Sequence, residues 1–190
     1  MTQVTLDDWA AMPLNRAEVA GGVLVVAPFL DTRHQLAVTR LAYWLDERLT
    51  GLTAVPAVEL LLAEQPLTIR VPDVLVSSST QLNVRRVSPS DVRLVIEVLS
   101  EGTVRTDRVT KFSEYAEVGI EHYWIVDLED PASMTTYRLI DGEYENFGEH
   151  TGKVSLDFDG TPLTLDLDAL TTRHAAAPLT ALVSGKDGMS

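Results

Sequence analysis

The spacing of apolar and polar positions changes repeatedly along the chain, and each change marks an element. Thr5 followed by Asp7 and Asp8 predicts a short capped helix ending at Pro13. Gly21-Gly22 marks a turn, the apolar run 23–27 after it reads as a strand, and Glu18 falls on the strand before it. Residues 32–49 form the longest helical pattern: His34, Val38, Leu41 and Leu45 share a face, and Gly51 closes it. Strands are predicted over 55–62, with Pro56 at an edge, and over 67–71, 74–77 and 93–99. The polar stretch 78–91, with Pro89, reads as a loop with at most one helical turn. A helix is predicted over 107–118, ending at Gly119, and a strand over 122–128. A hairpin comes next, 135–140 and 143–147 around Asp141-Gly142, then one or two short strands within 154–167.

Residues 94–99 are almost continuously apolar, as in a strand covered on both faces. The next helix and Tyr123-Trp124-Ile125-Val126 make a right-handed crossover to a parallel neighbour. The expected fold class is α/β (α+β), a mixed β-sheet flanked by helices, over residues 1–170, with a loose Ala-, Gly- and Ser-rich tail at 171–190.

Composition narrows the function. The chain has 190 residues, 45% of them hydrophobic, enough for one domain with a real core. It has no cysteine, which excludes a disulfide scaffold and a thiolate nucleophile or zinc site. It has no apolar run of membrane-spanning length and no leader pattern at its start, so a cytoplasmic protein away from membranes is expected. With 15 basic and 28 acidic residues the net charge is −13, which weighs against a simple nucleic-acid binder. Metal-dependent nucleases tolerate such a charge, because their carboxylates repel a polyanion only until the cation binds.

Three residues stand out. Glu97 lies within Leu94-Val95-Ile96-Glu97-Val98-Leu99, on the same face as Val95 and Leu99. A carboxylate there needs a cation, a base or a proton. From this strand alone, a bland reading (an edge strand with Glu97 at its wet end, or a structural ion pair) and a metal ligand stand about equal. Asp73, held at a strand start by Pro72, suits a turn as well as a site. Lys111 falls at the edge of an apolar arc of Val109, Phe112, Tyr115, Ala116 and Val118, opposite Thr110, Ser113, Glu114 and Glu117. Alone it reads as a snorkelling lysine paired with Asp107. Together they are more specific: two carboxylates on neighbouring strands can hold a hard cation, and an ammonium can orient a water and offset charge on phosphorus.

The runs Arg70-Val71-Pro72-Asp73-Val74 and Val95-Ile96-Glu97-Val98-Leu99-Ser100, then Asp107, Lys111, Tyr115 and Tyr123-Trp124-Ile125-Val126-Asp127, resemble the Uma2 family (DUF820), restriction endonuclease-like proteins of the PD-(D/E)XK superfamily. Glu18 before the Gly turn and His34-Gln35 at the start of the long helix extend the match. The resemblance implies a restriction-endonuclease-like fold and a Mg²⁺- or Mn²⁺-dependent endonuclease acting on DNA. By it, Asp73 and Glu97 are the metal acids, with the main-chain carbonyl of Val98 as a further ligand. Lys111 is then the catalytic lysine, carried on the helix because Leu99 occupies the usual strand position. Glu18 is implied as an accessory acid, Asp107 and Tyr115 as partners of the lysine, and His34 in a capping or supporting role. Val23 and Glu101-Gly102 depart from the family pattern without touching the three core residues. His34, His122, His150 and His174 show no ligand-like spacing.

Three hypotheses stay open from the sequence: this nuclease, dimeric where both strands are cut; a catalytically inactive nuclease-fold module for binding or assembly; and a metal hydrolase of another phosphate ester.

Overall fold

The computed structural model describes residues 3–12, 17–26, 30–78, 84–100, 103–104 and 106–172. Among the described residues, three α-helices and thirteen strands follow in the order α1 (Leu6–Ala11), β1 (Ala17–Ala20), β2 (Val23–Val26), α2 (Thr32–Asp46), β3 (Leu52–Pro56), β4 (Glu59–Glu64), β5 (Leu67–Arg70), β6 (Val74–Ser78), β7 (Arg86–Val87), β8 (Val92–Val98), α3 (Phe112–Glu117), β9 (His122–Asp127), β10 (Ser133–Ile140), β11 (Glu143–Thr151), β12 (Lys153–Phe158) and β13 (Thr161–Asp166). The fold is the expected mixed α+β class. Most strands fall in two sheets, ordered β2-β1-β5-β4-β7 and β11-β10-β9-β8-β6-β3, with β12 and β13 pairing separately.

The six-stranded sheet carries the core. β8 pairs parallel with β9 and antiparallel with β6, as the apolar run and the crossover required. Alternation divides its residues between two faces. Val74, Val76, Leu94, Ile96, Val98, Trp124 and Val126 pack against Val38, Leu41 and Leu45 of α2. Leu75, Val95, Tyr123 and Ile125 pack on the opposite face with Tyr115 and Tyr144. Glu97 belongs to this second face, the one toward α3. A smaller core under the five-stranded sheet joins Trp9 to Val19, Leu67 and Ile69.

The structure corrects the expected strand at 55–62. Pro56 offers no N–H, and Ala57 turns through a left-handed conformation (φ 53°). The chain thereby leaves the six-stranded sheet at β3 and enters the five-stranded sheet at β4. The expected polar loop contains the two-residue strand β7, which pairs with β4, and a 3₁₀ turn at Pro89–Asp91. At the predicted hairpin, Asp141 (φ 50°) and Gly142 (φ 88°) are both left-handed, as a two-residue turn demands. Of the expected tail, residues 173–190 lie outside the described residues, as do Pro13, Ala27 and residues 79–83 of the loop. Among the described residues no helix is long and apolar enough to cross a membrane.

The helix predicted over 107–118 begins differently. Thr106–Lys111 forms a π-helical turn, and regular α-helix starts only at Phe112. The hydroxyl of buried Tyr123 donates to the Asp107 carbonyl at 2.8 Å, a side-chain insertion into the backbone ladder of the kind that disturbs regular α-helix. The wider turn changes which residues face the sheet. Val109, assigned to the apolar arc at regular spacing, is 57% exposed, whereas Asp107 and Lys111 are buried. Accordingly, Leu41→Ala should cost about 2–5 kcal/mol in urea denaturation. Val109→Ala should stay within about 0.5 kcal/mol of the parent.

Candidate active site

Every element at the site brings its residue there by a local rule. On β1, alternation turns Ala17 and Val19 to the small core and Glu18 to the opposite side. On β5, the same rule sends Leu67 and Ile69 inward and leaves Arg70 on the face of Glu18. Pro72 and the start of β6 set Asp73 beside the end of β8, where the Val98 N–H donates to Asp73 Oδ2 at 2.8 Å. The π-helical turn directs Asp107 and Lys111 to the same end of β8. Glu18, His34, Asp73, Glu97, Val98, Asp107 and Lys111 are among the residues that line one cavity of about 220 Å³. Asp73, Glu97 and Lys111, singled out in the sequence, therefore meet in space.

The ammonium of Lys111 is the hub. Its Nζ lies 3.0 Å from Glu97 Oε1, 3.1 Å from Asp107 Oδ1 and 3.5 Å from Glu18 Oε1. The Tyr115 hydroxyl donates to the same Glu97 oxygen at 2.8 Å. Glu97, Asp107 and Lys111 are all almost fully buried. Burial pushes the Glu97 carboxyl well above the usual range; Lys111 opposes that push, and Asp107, Asp73 and Glu18 add to it. Asp107 is raised too, by burial first and against the pull of Lys111. For Lys111, burial works against the charge, but Glu97, Glu18 and Asp107 together outweigh it and hold the amine protonated. Burial and the Glu97 charge raise the Tyr115 phenol in the same way.

A second cation, absent from the sequence reading, supports this hub. Arg70, only 2% exposed, grips both oxygens of Glu114 at 2.7 Å and donates to Glu18 Oε2 at 2.9 Å. Glu114, assigned to the polar arc, is thus turned inward. Glu18 also accepts from the Val71 N–H at 3.0 Å. The carboxylate of Glu18 is fixed between a guanidinium and an ammonium. The signal was present in Leu67-Thr68-Ile69-Arg70, where a charge ends a fully buried strand, but its partner Glu18 lies on a distant strand.

His34 does not itself cap its helix. The cap of α2 is Asp31, whose carboxylate accepts from the His34 N–H at 2.8 Å. The His34 ring instead reaches into the cavity. Its Nε2 lies 2.8 Å from the Val98 carbonyl oxygen and 3.4 Å from Asp73 Oδ2. Burial lowers the proton affinity of the imidazole, but Asp73 and the Val98 carbonyl raise it further.

The donors fit a divalent cation in kind: two carboxylates, a main-chain carbonyl and an imidazole beside a positively charged amine. Judged by carboxylate and imidazole atoms alone, the group among the described residues that lies within 4.8 Å is a different one, Glu121, His122 and Asp159. The sequence reading missed it because Asp159 sits far along the chain, in the β12–β13 turn. Its carboxylates already face guanidinium groups: Arg93 lies 3.0 Å from Glu121 and 2.7 Å from Asp159, and Arg138 lies 3.1 Å from Glu121. Those arginines compete with a cation there, and the group reads as a surface ion-pair network.

The lysine hub yields a stability test. Removing the shared cation leaves buried carboxylates uncompensated, so Lys111→Met should destabilise the fold by about 3–5 kcal/mol. Adding Glu97→Gln to it should recover part of the loss, and urea midpoints of the single and double variants measure both.

A crystal structure titled as a putative nuclease belonging to DUF820, from Anabaena variabilis ATCC 29413, superposes with a TM-score of 0.70, covering 88% of this chain and 97% of that one at 16% identity. At that identity the likeness establishes the shared fold. No curated protein matches the sequence. The model of the Uma2 family, described as "Putative restriction endonuclease", matches residues 5–169, which include every residue of the cavity. The chain belongs to the Uma2 family.

Proposed function

We propose that the cavity is the active site of a metal-dependent endonuclease that hydrolyses phosphodiester bonds of DNA. One observation carries this reading: Asp73 just before β6, Glu97 on β8 and Lys111 on a π-helical turn line a single cavity. Its volume of about 220 Å³ is below the range of about 300–1,000 Å³ usual for small-molecule sites. That size suits a cation and one phosphate group better than a whole cofactor. The nuclease description of the family supports the same direction.

In this mechanism Asp73, Glu97 and the Val98 carbonyl would hold Mg²⁺ or Mn²⁺. When bound, such an ion polarises a phosphoryl oxygen and lowers the pKa of water. Lys111 orients the attacking water and offsets the charge that builds on the phosphorus. Glu18 and Asp107 hold the amine in place, and Tyr115 fixes the Glu97 carboxylate. Water adds to phosphorus as the bond to the 3′ oxygen breaks, which leaves a 5′-phosphate and a 3′-hydroxyl. A homodimer would bring two such cavities to the two strands of a duplex.

A second reading draws on the pairing of the cavity's acids. Glu97 is held by Lys111, Glu18 by Arg70, and Asp73 by His34 and the Val98 N–H. A family member in which these pairs persist would be a binding or assembly module. Calorimetric titration with Mn²⁺ separates the two: binding that Glu97→Gln abolishes supports the nuclease, and no binding supports the module.

Purified protein should cut DNA with Mg²⁺ or Mn²⁺ and stop in EDTA. Asp73→Asn, Glu97→Gln and Lys111→Met should each lower the rate by about 100-fold or more, read on a labelled duplex. An Asp73→Asn variant as active as the parent would sink the assignment.

A further inference from the structure

We propose that His34 is itself a ligand of the divalent cation, through Nε2, and that it biases the site toward Mn²⁺ over Mg²⁺. This rests on reading the cavity as a metal site. The two oxygens nearest the ring are the two that this reading gives to the metal: the Val98 carbonyl at 2.8 Å and Asp73 Oδ2 at 3.4 Å. Adjacent ligands around an octahedral ion with bonds of about 2.1 Å stand about 3 Å apart. His34 Nε2 thus stands from each of these oxygens at about the separation of neighbouring ligands on one ion.

The rest of the ring has no competing task. His34 is 4% exposed, and its Nδ1 is buried without a hydrogen-bond partner among the described residues. Among the described residues, the hydrogen bond and the ion pair of the ring go to the two candidate ligand oxygens. The N-cap at Asp31 fixes the backbone of His34 and aims the side chain from the first turn of α2. Ligation through Nε2 uses the tautomer that carries its proton on Nδ1.

Donor chemistry then sets the preference. Mg²⁺ favours oxygen ligands and gives up water reluctantly, whereas transition metals accept imidazole more readily. A set of two carboxylates and a carbonyl would favour neither ion strongly; a nitrogen in the set shifts it toward Mn²⁺.

Pulsed electron paramagnetic resonance of the Mn²⁺-loaded chain tests this directly. The wild-type protein should show nitrogen coupling to the manganese, and ¹⁵N-histidine labelling should change that signal without any mutation. His34→Gln should lose it, and His122→Gln should keep it. Calorimetry should show the ratio of Mn²⁺ to Mg²⁺ affinity falling about tenfold or more in His34→Gln. Bound Mn²⁺ without nitrogen coupling would overturn the proposal and leave the nuclease reading standing. Coupling that disappears in His122→Gln instead would move the ion to Glu121, His122 and Asp159 and overturn it as well. Absence of Mn²⁺ binding overturns both this proposal and the metal site, whereas coupling without DNA cleavage supports the ligand and counts against the nuclease.

Discussion

The buried ammonium of Lys111 is the constraint around which the cavity is arranged. Three carboxylates stand within 3.5 Å of one amine, nearly out of contact with water. In such surroundings each charge is expensive alone and acceptable only in company. The arrangement explains why so many elements meet here: β1 brings Glu18, β8 brings Glu97, and the π-helical turn brings both Asp107 and the amine. Tyr115 then bonds Glu97, and Arg70 bonds Glu18. An acidic chain can keep a catalytic-looking lysine charged and fixed because its own carboxylates surround it.

The two sheets divide the work. The six-stranded sheet supplies Glu97 from β8 and Asp73 from the residue just before the adjacent antiparallel β6, on a scaffold buried on both faces. The five-stranded sheet supplies Glu18 and Arg70, which enclose the amine from the other side. Sheet switching at Pro56 and Ala57 joins them, and the cavity is lined from both sheets, from the first turn of α2 and from the segments that flank β6 and β8. Support from strands and a helix favours a site whose donors must stay within fractions of an ångström of their working positions.

Much of this was legible in the sequence. The central strand, its parallel neighbour, the long helix and the tight hairpin came from periodicity and turn chemistry. Glu97 was recognisable as a charge in an apolar strand, and Lys111 as a lysine beside an apolar arc. The features that could not be read depended on distant partners or on departures from regular geometry. The Arg70–Glu18–Glu114 cluster links residues from three separate parts of the chain. The exposure of Val109 goes with a π-helical turn over Thr106–Lys111 that regular spacing does not foresee. His34 was visible at a helix start, but only the third dimension turns its ring toward Val98 and Asp73.

The π-helical turn has a consequence for how such a site can be altered. A wide turn of this kind accommodates one more residue than regular α-helix in the same length. Deleting a single residue between Thr106 and Lys111 would return the segment to standard geometry at little cost to the helix. Asp107 and Lys111 would then stand three residues apart, still neighbours on one face of a regular helix. The wide turn that seats them both at the end of β8 would be narrowed, so a one-residue change there alters how the amine and its partner meet the cavity while the sheet and its core persist.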